Sequence, residues 1–384
     1  MRFLHLGDLH LGKIVNEISM IPDQAYMLDQ ILALAKDRKA DAVLIAGDIY
    51  DKSIPSEEAV KLLDGFLSKL ANENIAIIAI SGNHDSDERL HFGSSLFASR
   101  NVFITGRYEG NIPCTDLQDE YGTVHFMSLP FVKASLVRHF YPDGDTDTYD
   151  AAVRTALEAA KVNTAERNVL LAHQFVTASG KDPETAGSEN VMSDNVGTIE
   201  KVDVSAFDAF DYLALGHIHR PQRVGRDTAR YAGSILKYSL SEIGHNKSVP
   251  LVTMKEKGNI DVELIPLKPL RDMRRIKGKL EDLVRPENIT DPDDYIYAVL
   301  TDEETIPEAI GRLRTYYPHT MKLSYDNSHT RALENYDPGK ITEKATFREL
   351  MTDFYQTVKG GEPTEEEWKI LIETAGKAGV SDEA

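Results

Sequence analysis

The chain has 384 residues, too many for one ordinary hydrophobic core, and we therefore expect two or three domains. Its net charge of −19 argues against a protein that grips nucleic acid alone by neutralising phosphates, because such proteins usually carry a basic balance. The single cysteine, Cys114, excludes an intramolecular disulfide and a cluster of zinc thiolates. No apolar run approaches the roughly 20 residues of a membrane-spanning helix, and the first residues lack the apolar run of a signal peptide, so we expect a cytoplasmic protein.

Predicted strands and helices alternate through the first 80 residues. Residues 3–6, 42–46 and 75–80 are short apolar runs of the kind found in buried strands. Apolar positions recur with helical spacing over residues 24–38, and again after Pro55 and Ser56 open a second helix. Strands joined by helices imply right-handed parallel crossovers, so we expect a layered α/β fold.

The rest of the chain predicts more strands and a change of domain. Strands are expected over residues 123–129, 168–172 and 211–215, followed by a hairpin over residues 250–265. Composition shifts after Pro266, and we place the end of the first domain, residues 1–266, at that point. Residues 267–328 predict a small α+β domain. Residues 329–384 predict a linker and two amphipathic C-terminal helices.

Metal-ligand residues follow five of the predicted strands. Glycine precedes a candidate ligand in four of these motifs and lets the backbone turn sharply as it leaves the strand. In open α/β sheets the functional crevice lies outside the carboxyl ends of the strands, so the five motifs predict one shared metal site. They are Asp8-Leu9-His10, Gly47-Asp48-Ile49-Tyr50-Asp51, Gly82-Asn83-His84-Asp85, Ala172-His173 and Gly216-His217-Ile218-His219.

The motifs supply seven candidate ligands, enough for two metals if one carboxylate bridges them. Asp48 is the best bridging candidate because it is central in the motif order. The mixture of nitrogen and oxygen donors suits manganese, iron or zinc better than magnesium or calcium. A metal pair of this kind activates water against a phosphate ester. The candidate ligands are Asp8, His10, Asp48, Asn83, His173, His217 and His219.

These motifs resemble the five phosphoesterase motifs of the calcineurin-like metallophosphoesterase superfamily. Chain length, motif spacing, the small second domain and the segment from Tyr231 to Ser239 further resemble the SbcD family of bacterial nuclease subunits. The resemblance implies a layered β-sandwich flanked by helices, a small α+β capping domain that positions DNA, and a C-terminal helical tail. Two divalent metals, usually manganese, would be the cofactors.

The resemblance also assigns roles to individual residues. It implies that His84 is the catalytic histidine beside the substrate phosphate. The Asp51 carboxylate lies where it could hydrogen-bond to His84 and orient its ring. One metal would be held by Asp8, His10, Asp48 and His219, and the other by Asp48, Asn83, His173 and His217.

The implied activity is that of a manganese-dependent DNA nuclease, with double-strand exonuclease and single-strand endonuclease action, in DNA end processing, hairpin cleavage, repair and recombination. It would act near the nucleoid as a heterotetramer with two copies of an SbcC-type ATPase, whose surface would supply much of the DNA grip. A homodimer is implied through helices around residues 54–70 and 86–99, although their patterns fit core packing equally well. The tail helices would dock on the ATPase, or they could form a satellite core.

Two alternatives remain open. Another enzyme of the same superfamily would act on small phosphodiesters or phosphoproteins, and the extra domain and tail argue against it. A metal-stabilised scaffold without activity should have lost ligands or the catalytic histidine, and both are present. A tyrosinate–iron centre like that of the purple acid phosphatases is disfavoured, because Asp51 stands where the tyrosine ligand would be and Tyr50 lies one residue early.

Overall fold

Two six-stranded sheets pack face to face in the computed structural model, which describes residues 1–186, 200–328, 330–331, 346–359 and 361–377. Contacts divide the chain into two units, Met1–Asp272 and Met273–Ala384. The strands of the first unit are β1 Arg2–Leu6, β2 Ile14–Val15, β3 Ile18–Ser19, β4 Ala42–Ala46, β5 Ala76–Ile80, β6 Val102–Thr105, β7 Cys114–Asp119, β8 Gly122–Leu129, β9 Arg167–His173, β10 Phe175–Thr177, β11 Lys201–Asp203, β12 Tyr212–Gly216, β13 Gln222–Val224, β14 Arg226–Tyr231, β15 Ser248–Met254 and β16 Ile260–Pro266.

Helices flank the two sheets. The helices of the first unit are α1 Ile21–Asp37, α2 Glu57–Asn72, α3 Asp87–His91, α4 Ser94–Phe97, α5 Ala134–Phe140 and α6 Tyr149–Ala159. Ser56 caps α2 by accepting a hydrogen bond from the backbone of Ala59, which agrees with the predicted start of that helix. None of the helices in the described ranges is both long and apolar enough to cross a membrane.

The strand order explains why the motifs meet. The first sheet runs β16-β15-β1-β4-β5-β6, and β1, β4, β5 and β6 are parallel neighbours. The second sheet runs β13-β14-β12-β9-β8-β7, and β8, β9, β12 and β14 are parallel. The predicted parallel crossovers and the layered sandwich are therefore confirmed. Parallel strands place their carboxyl ends along one edge of each sheet, which is where the motifs lie.

Apolar side chains from both sheets form the core between them. Phe3 of β1 contacts Phe126 of β8 edge to face, with ring centroids 5.5 Å apart. The same layer includes Leu44, Ile78 and Val169, all completely buried. A second apolar layer lies on the other face of the second sheet, under α5 and α6. Strands buried on both faces read as continuous apolar runs, which is why β4, β5 and β9 were predictable.

The second unit contains a three-stranded parallel sheet with two short helices. Its strands are β17 Met273–Gly278, β18 Tyr295–Leu300 and β19 Thr320–Tyr325, and its helices are α7 Leu280–Leu283 and α8 Ala309–Arg314. Side chains of Ile296, Leu300 and Leu313 pack in its small core. Strands and helices are thus both present in this region, as its sequence predicts.

Two further helices follow, α9 Phe347–Lys359 and α10 Glu365–Lys377. Each begins with a capping box: Thr346 and Glu349 exchange hydrogen bonds at the start of α9, and Thr364 and Glu367 do so at the start of α10. The Arg348 guanidinium stacks over the Trp368 ring at 5.1 Å. Both predicted tail helices are therefore present, whereas most of the predicted linker and the last seven residues lie outside the described residues.

Candidate metal centre

The backbone at the strand ends is bent into an unusual conformation. Asp8, His10, Asp48 and His217 have positive φ angles of 52°, 44°, 48° and 98°. Residues with side chains rarely adopt this left-handed region, and such outliers concentrate at functional sites, where the surrounding structure holds them in place. The strain here lies on four of the seven candidate ligands.

Three glycines let the strand ends approach one another closely. A Cβ at Gly82 would lie 2.1 Å from Asp48 Oδ1, and one at Gly216 would lie 1.8 Å from the Ala46 carbonyl oxygen. A Cβ at Gly47 would lie 2.3 Å from His173 Nδ1. Contacts this short are impossible, so any side chain at these positions would displace a candidate ligand or its support.

One group of candidate ligands consists of Asp8, His10 and His219. The Nε2 atoms of His10 and His219 lie 3.0 Å apart, so they cannot both carry a proton at this distance. Asp8 Oδ1 accepts a hydrogen bond from the His217 backbone N–H at 2.8 Å, and Asp8 Oδ2 is buried without a hydrogen-bond partner among the described residues. A buried, unpaired carboxylate oxygen beside two imidazole nitrogens is the environment that a cation stabilises.

A second group consists of Asn83, His173 and His217. Asn83 Oδ1 lies 3.0 Å from His173 Nε2 and 3.1 Å from His217 Nδ1. Asp48 lies between the two groups, with its Oδ2 3.6 Å from His10 Nε2 and 3.4 Å from His173 Nε2. The structure thus brings all seven candidate ligands together, with Asp48 in the position that a bridging carboxylate requires.

Burial and mutual charge set the protonation of these groups. Burial lowers the pKa of His10 to about 4 and that of His217 to about 3, so both rings are neutral at pH 7 and have a lone pair for a metal. Burial opposes the ionisation of Asp48, but the charge of His173 overcomes it and lowers the pKa of Asp48 well below its usual value. Burial likewise opposes the charged form of His173, but Asp48 raises its pKa to about 9. A cation bound beside Asp48 would replace the proton of His173.

Hydrogen bonds from the surrounding protein fix the ring orientations. His173 Nδ1 lies 2.8 Å from the Ala46 carbonyl oxygen, and His219 Nδ1 lies 3.2 Å from Glu242 Oε1. Both acceptors favour the tautomer protonated on Nδ1, which leaves Nε2 facing the centre as a ligand atom. The donor set and its supports therefore fit a pair of divalent metals.

The sequence did not predict the polar network behind His219. Glu242 is completely buried, and its Oε2 accepts a hydrogen bond from Lys247 Nζ at 2.6 Å. Lys247 also donates to the His219 carbonyl oxygen and to Ser234 Oγ, each at 2.8 Å. Ser234 belongs to the segment from Tyr231 to Ser239, which resembles the SbcD family. That resemblance was the only indication in the sequence that this region matters to the centre. Glu242 and Lys247 follow no recognisable pattern.

Asp85 has a structural role that also went unpredicted. Its Oδ2 accepts hydrogen bonds from the backbone N–H groups of Ile49 and Gly82 at 3.0 and 2.9 Å, and its Oδ1 accepts one from Tyr50 at 2.9 Å. The carboxylate thereby ties the motif after β4 to the motif after β5. The sequence indicated this role only by placing Asp85 at the end of the motif Gly82–Asp85.

His84 lies at the border of the centre, and the structure corrects its predicted partner. Its Nδ1 lies 3.0 Å from the backbone carbonyl oxygen of Asp51, not from the Asp51 carboxylate. That carboxylate instead accepts a hydrogen bond from Lys13 Nζ at 2.7 Å and lies 3.6 Å from His10 Nδ1. Burial opposes its ionisation, but His10 and Lys13 lower the pKa of Asp51 to about 2. The expectation that the Asp51 side chain orients His84 is therefore wrong, because the partners of that carboxylate are Lys13 and His10.

Comparison with known proteins identifies the family of this chain. Residues 1–221 match the calcineurin-like phosphoesterase family, and residues 269–359 match the type 5 capsule protein repressor C-terminal domain. The SbcD component of the nuclease SbcCD from Staphylococcus epidermidis is 34% identical over 365 residues, which cover 93% of each chain. The chain belongs to the SbcD family of calcineurin-like phosphoesterases. It is thus a hydrolase of a family that uses divalent metals. A crystal structure of a dimetal phosphatase from Danio rerio is also similar, at 13% identity and a TM-score of 0.39, covering 70% of this chain and 99% of that one.

Proposed function

We propose that this chain is a manganese-dependent DNA nuclease that hydrolyses phosphodiester bonds as a double-strand exonuclease and a single-strand endonuclease. The observation that carries the proposal is the convergence of six candidate ligands on Asp48, five of them buried and Asn83 partly buried, with His84 beside them at the border of the site. The near full-length relative is named as part of a nuclease, which favours a nucleic acid as the substrate.

The ligands divide into two sets that share Asp48. Asp8, His10, Asp48 and His219 would hold one metal, and Asp48, Asn83, His173 and His217 the other. When bound, such a pair supplies Lewis acidity toward phosphate oxygens and activates water at neutral pH. Manganese fits this mixture of imidazole, amide and carboxylate donors.

His84 is assigned a role in proton donation, which the metal ligands do not supply. The backbone N–H of His84 donates to Asp48 Oδ1 at 2.9 Å, and the Asp51 carbonyl oxygen lies 3.0 Å from its Nδ1. These two contacts hold the ring in place while the side chain stays partly exposed. A proton on Nε2 can then be donated to the phosphate or to the departing sugar oxygen, which contributes about 10²–10⁴-fold to the rate.

The partners follow from charge and exposed surface. A chain with net charge −19 needs help to hold DNA, and an SbcC-type ATPase would supply the missing positive surface, in a heterotetramer with two copies of each protein. The name of the relative, which places it in the nuclease SbcCD, supports this partner. The side chains of Ile54, Phe92 and Leu96 are 72%, 82% and 76% exposed, and we assign them to a homodimer interface.

The second unit and the tail have their own proposed roles. The small α+β domain would position DNA over the centre. Helix α10 exposes Ile370 and Ile372, which are 65% and 43% accessible, and these would dock on the ATPase. With DNA as its substrate, the protein would work in the cytoplasm near the nucleoid, in end processing, hairpin cleavage, repair and recombination.

The proposal is tested by DNA cleavage with the full chain, the SbcC-type partner, ATP and manganese. His84→Ala should lose most cleavage while it keeps its manganese, and His139→Ala, at an exposed histidine of α5, should remain fully active. Full activity of His84→Ala would contradict the assigned role. Turnover of a small phosphodiester or a phosphoprotein, with none on DNA ends, would overturn the DNA nuclease in favour of another phosphoesterase.

A further inference from the structure

Three side chains with metal-binding groups meet on neighbouring strands of the second sheet, and none of them belongs to the centre described above. Cys114 and Asp116 are two residues apart on β7 and so lie on the same face of the sheet. Asp116 pairs directly with His125 of β8. Val124 and Phe126, on either side of His125, point into the core between the sheets, so the three side chains lie on the opposite, outer face.

The donor atoms are already close together. Asp116 Oδ1 lies 3.4 Å from Cys114 Sγ and 2.7 Å from His125 Nδ1, and all three donor atoms lie within 4.8 Å of one another. In tetrahedral zinc sites, bonds of about 2.0–2.3 Å place the ligand atoms about 3.3–3.8 Å apart. The hydrogen-bonded ladder of β7 and β8 fixes the backbone, so side-chain adjustments of about 1 Å would complete this geometry.

Glu166 orients the histidine of this group. Its Oε2 lies 3.2 Å from His125 Nε2, on the side of the ring that faces away from Asp116. The Asp116 carboxylate, 2.7 Å from Nδ1, hydrogen-bonds there through a proton that a bound metal would replace, while Glu166 keeps a proton on Nε2, so Nδ1 can then ligate the metal. Ligating histidines in proteins are commonly held by a carboxylate in this way.

We propose that Cys114, Asp116 and His125 bind one zinc ion, independently of the metal pair, with Glu166 as a positioning residue. A thiolate, an imidazole and a carboxylate together favour zinc or cobalt over magnesium, calcium or manganese. Binding forms a metal–sulfur bond, and the proton of the Cys114 thiol is released to solvent. Cys114 is exposed, so the fourth position faces water. The ion links β7, at the edge of its sheet, to β8.

The single cysteine makes the test specific. Thiolate coordination to Co²⁺ produces a charge-transfer absorption in the near ultraviolet, and the ligands of the other centre contain no sulfur. Titration of the purified full chain with Co²⁺ should therefore produce this band, with an intensity at saturation that corresponds to one cobalt–thiolate bond per chain. Added Zn²⁺ should bleach it. Cys114→Ser should abolish the band, whereas Gln118→Ser, on the same face of β7, should keep it.

Substitutions of the other ligands distinguish a three-ligand metal site from a single thiol that binds cobalt alone. His125→Gln and Asp116→Asn should each weaken cobalt binding at least tenfold. Glu166→Gln should keep the band at saturation but weaken the affinity by about 10–100-fold. Absence of the band in the unmodified chain, a band that survives both ligand substitutions unchanged, or a band that grows with protein concentration as two chains share an ion, would each overturn the proposal. None of these outcomes depends on nuclease activity.

Discussion

Glu242 and His219 form a buried carboxylate–histidine pair, with Glu242 Oε1 3.2 Å from His219 Nδ1 and both side chains almost fully excluded from solvent. The pair holds the histidine so that its Nε2 faces His10 at 3.0 Å. Lys247 balances the charge of Glu242 from the other side, at 2.6 Å. Since the carboxylate accepts a hydrogen bond from the Nδ1–H of the ring, Nε2 is left free for the metal, and Glu242 supports the ligand without touching the ion.

Glu242→Gln should therefore weaken manganese binding by about 10–100-fold, because an amide favours the Nδ1-protonated tautomer less strongly. Calorimetric titration with manganese measures this effect. The substitution also removes the negative charge beside the buried ammonium of Lys247, which lowers stability. The double variant Glu242→Gln, Lys247→Met removes that ammonium as well and should regain stability without regaining affinity. Glu120→Gln, at an exposed glutamate, serves as the control. Unchanged affinity in Glu242→Gln would show that Glu242 has no effect on the ligand.

Gly82→Ala should empty the metal centre. Its Cβ would lie 2.1 Å from Oδ1 and 2.3 Å from the backbone nitrogen of Asp48, so the shared carboxylate must move. Gly65→Ala is the matched control, because nothing lies within 4 Å of a Cβ at this position in α2. That control should raise the free energy of unfolding by about 0.5–1 kcal/mol, since alanine favours a helix over glycine. Metal analysis and chemical denaturation of both variants check the pair of predictions. Full metal content in Gly82→Ala would mean that Asp48 is free to shift.

Stability at low pH should depend on the ion pair between Asp119 and Arg167. Their atoms approach to 2.6 Å, and the Arg167 side chain is 5% exposed. The hydrogen bonds from Arg167 hold the pKa of Asp119 well below its usual range, against a smaller opposing effect of burial. A depressed carboxyl pKa stabilises the folded state above the unfolded value of about 3.9, and this stabilisation is lost as the pH falls below it.

Asp119→Asn should consequently lower the free energy of unfolding at pH 7 by about 1.5–3 kcal/mol, the usual range for hydrogen bonds to charged groups. The difference from the unmodified chain should stay constant down to about pH 5 and shrink below about pH 4. Urea denaturation across this pH range measures it, with Asp261→Asn at an exposed position of β16 as the control. A difference that persisted unchanged at pH 3 would contradict an electrostatic origin.

The sequence predicted those parts of the fold that depend on local pattern. Every residue of β4 and β5 is apolar and buried, so both strands stand out as continuous runs. The outer strand β7 was not predicted, because its residues alternate between exposed and half-buried and most are polar. Edge strands gain their structure from one neighbour, here β8, and composition alone does not reveal that pairing.

At the metal centre, too, local sequence pattern predicted some residues, and only the tertiary packing revealed others. The seven candidate ligands lie in short motifs at strand ends, where parallel topology predicts that they meet. Glu242 lies in a short turn far from those motifs, and only the packing of that turn behind His219 reveals its role. The position of the Asp51 carboxylate was also beyond sequence reasoning, because Lys13, 38 residues earlier, decides it.

The corrected role of Asp51 leads to the last prediction. Since His84 is held by the backbone carbonyl of Asp51, the substitution Asp51→Ala retains that hydrogen bond. It removes the carboxylate beside His10 and Lys13, so manganese binding should weaken by about 10–100-fold. At saturating manganese, kcat should fall less than about tenfold and the pH profile should keep its shape, whereas His84→Ala should lose about 10²–10⁴-fold. Steady-state cleavage assays over a range of manganese concentration and pH compare the two variants. A loss in Asp51→Ala as large as that in His84→Ala at saturating manganese, with a displaced pH profile, would show that the carboxylate does act on His84.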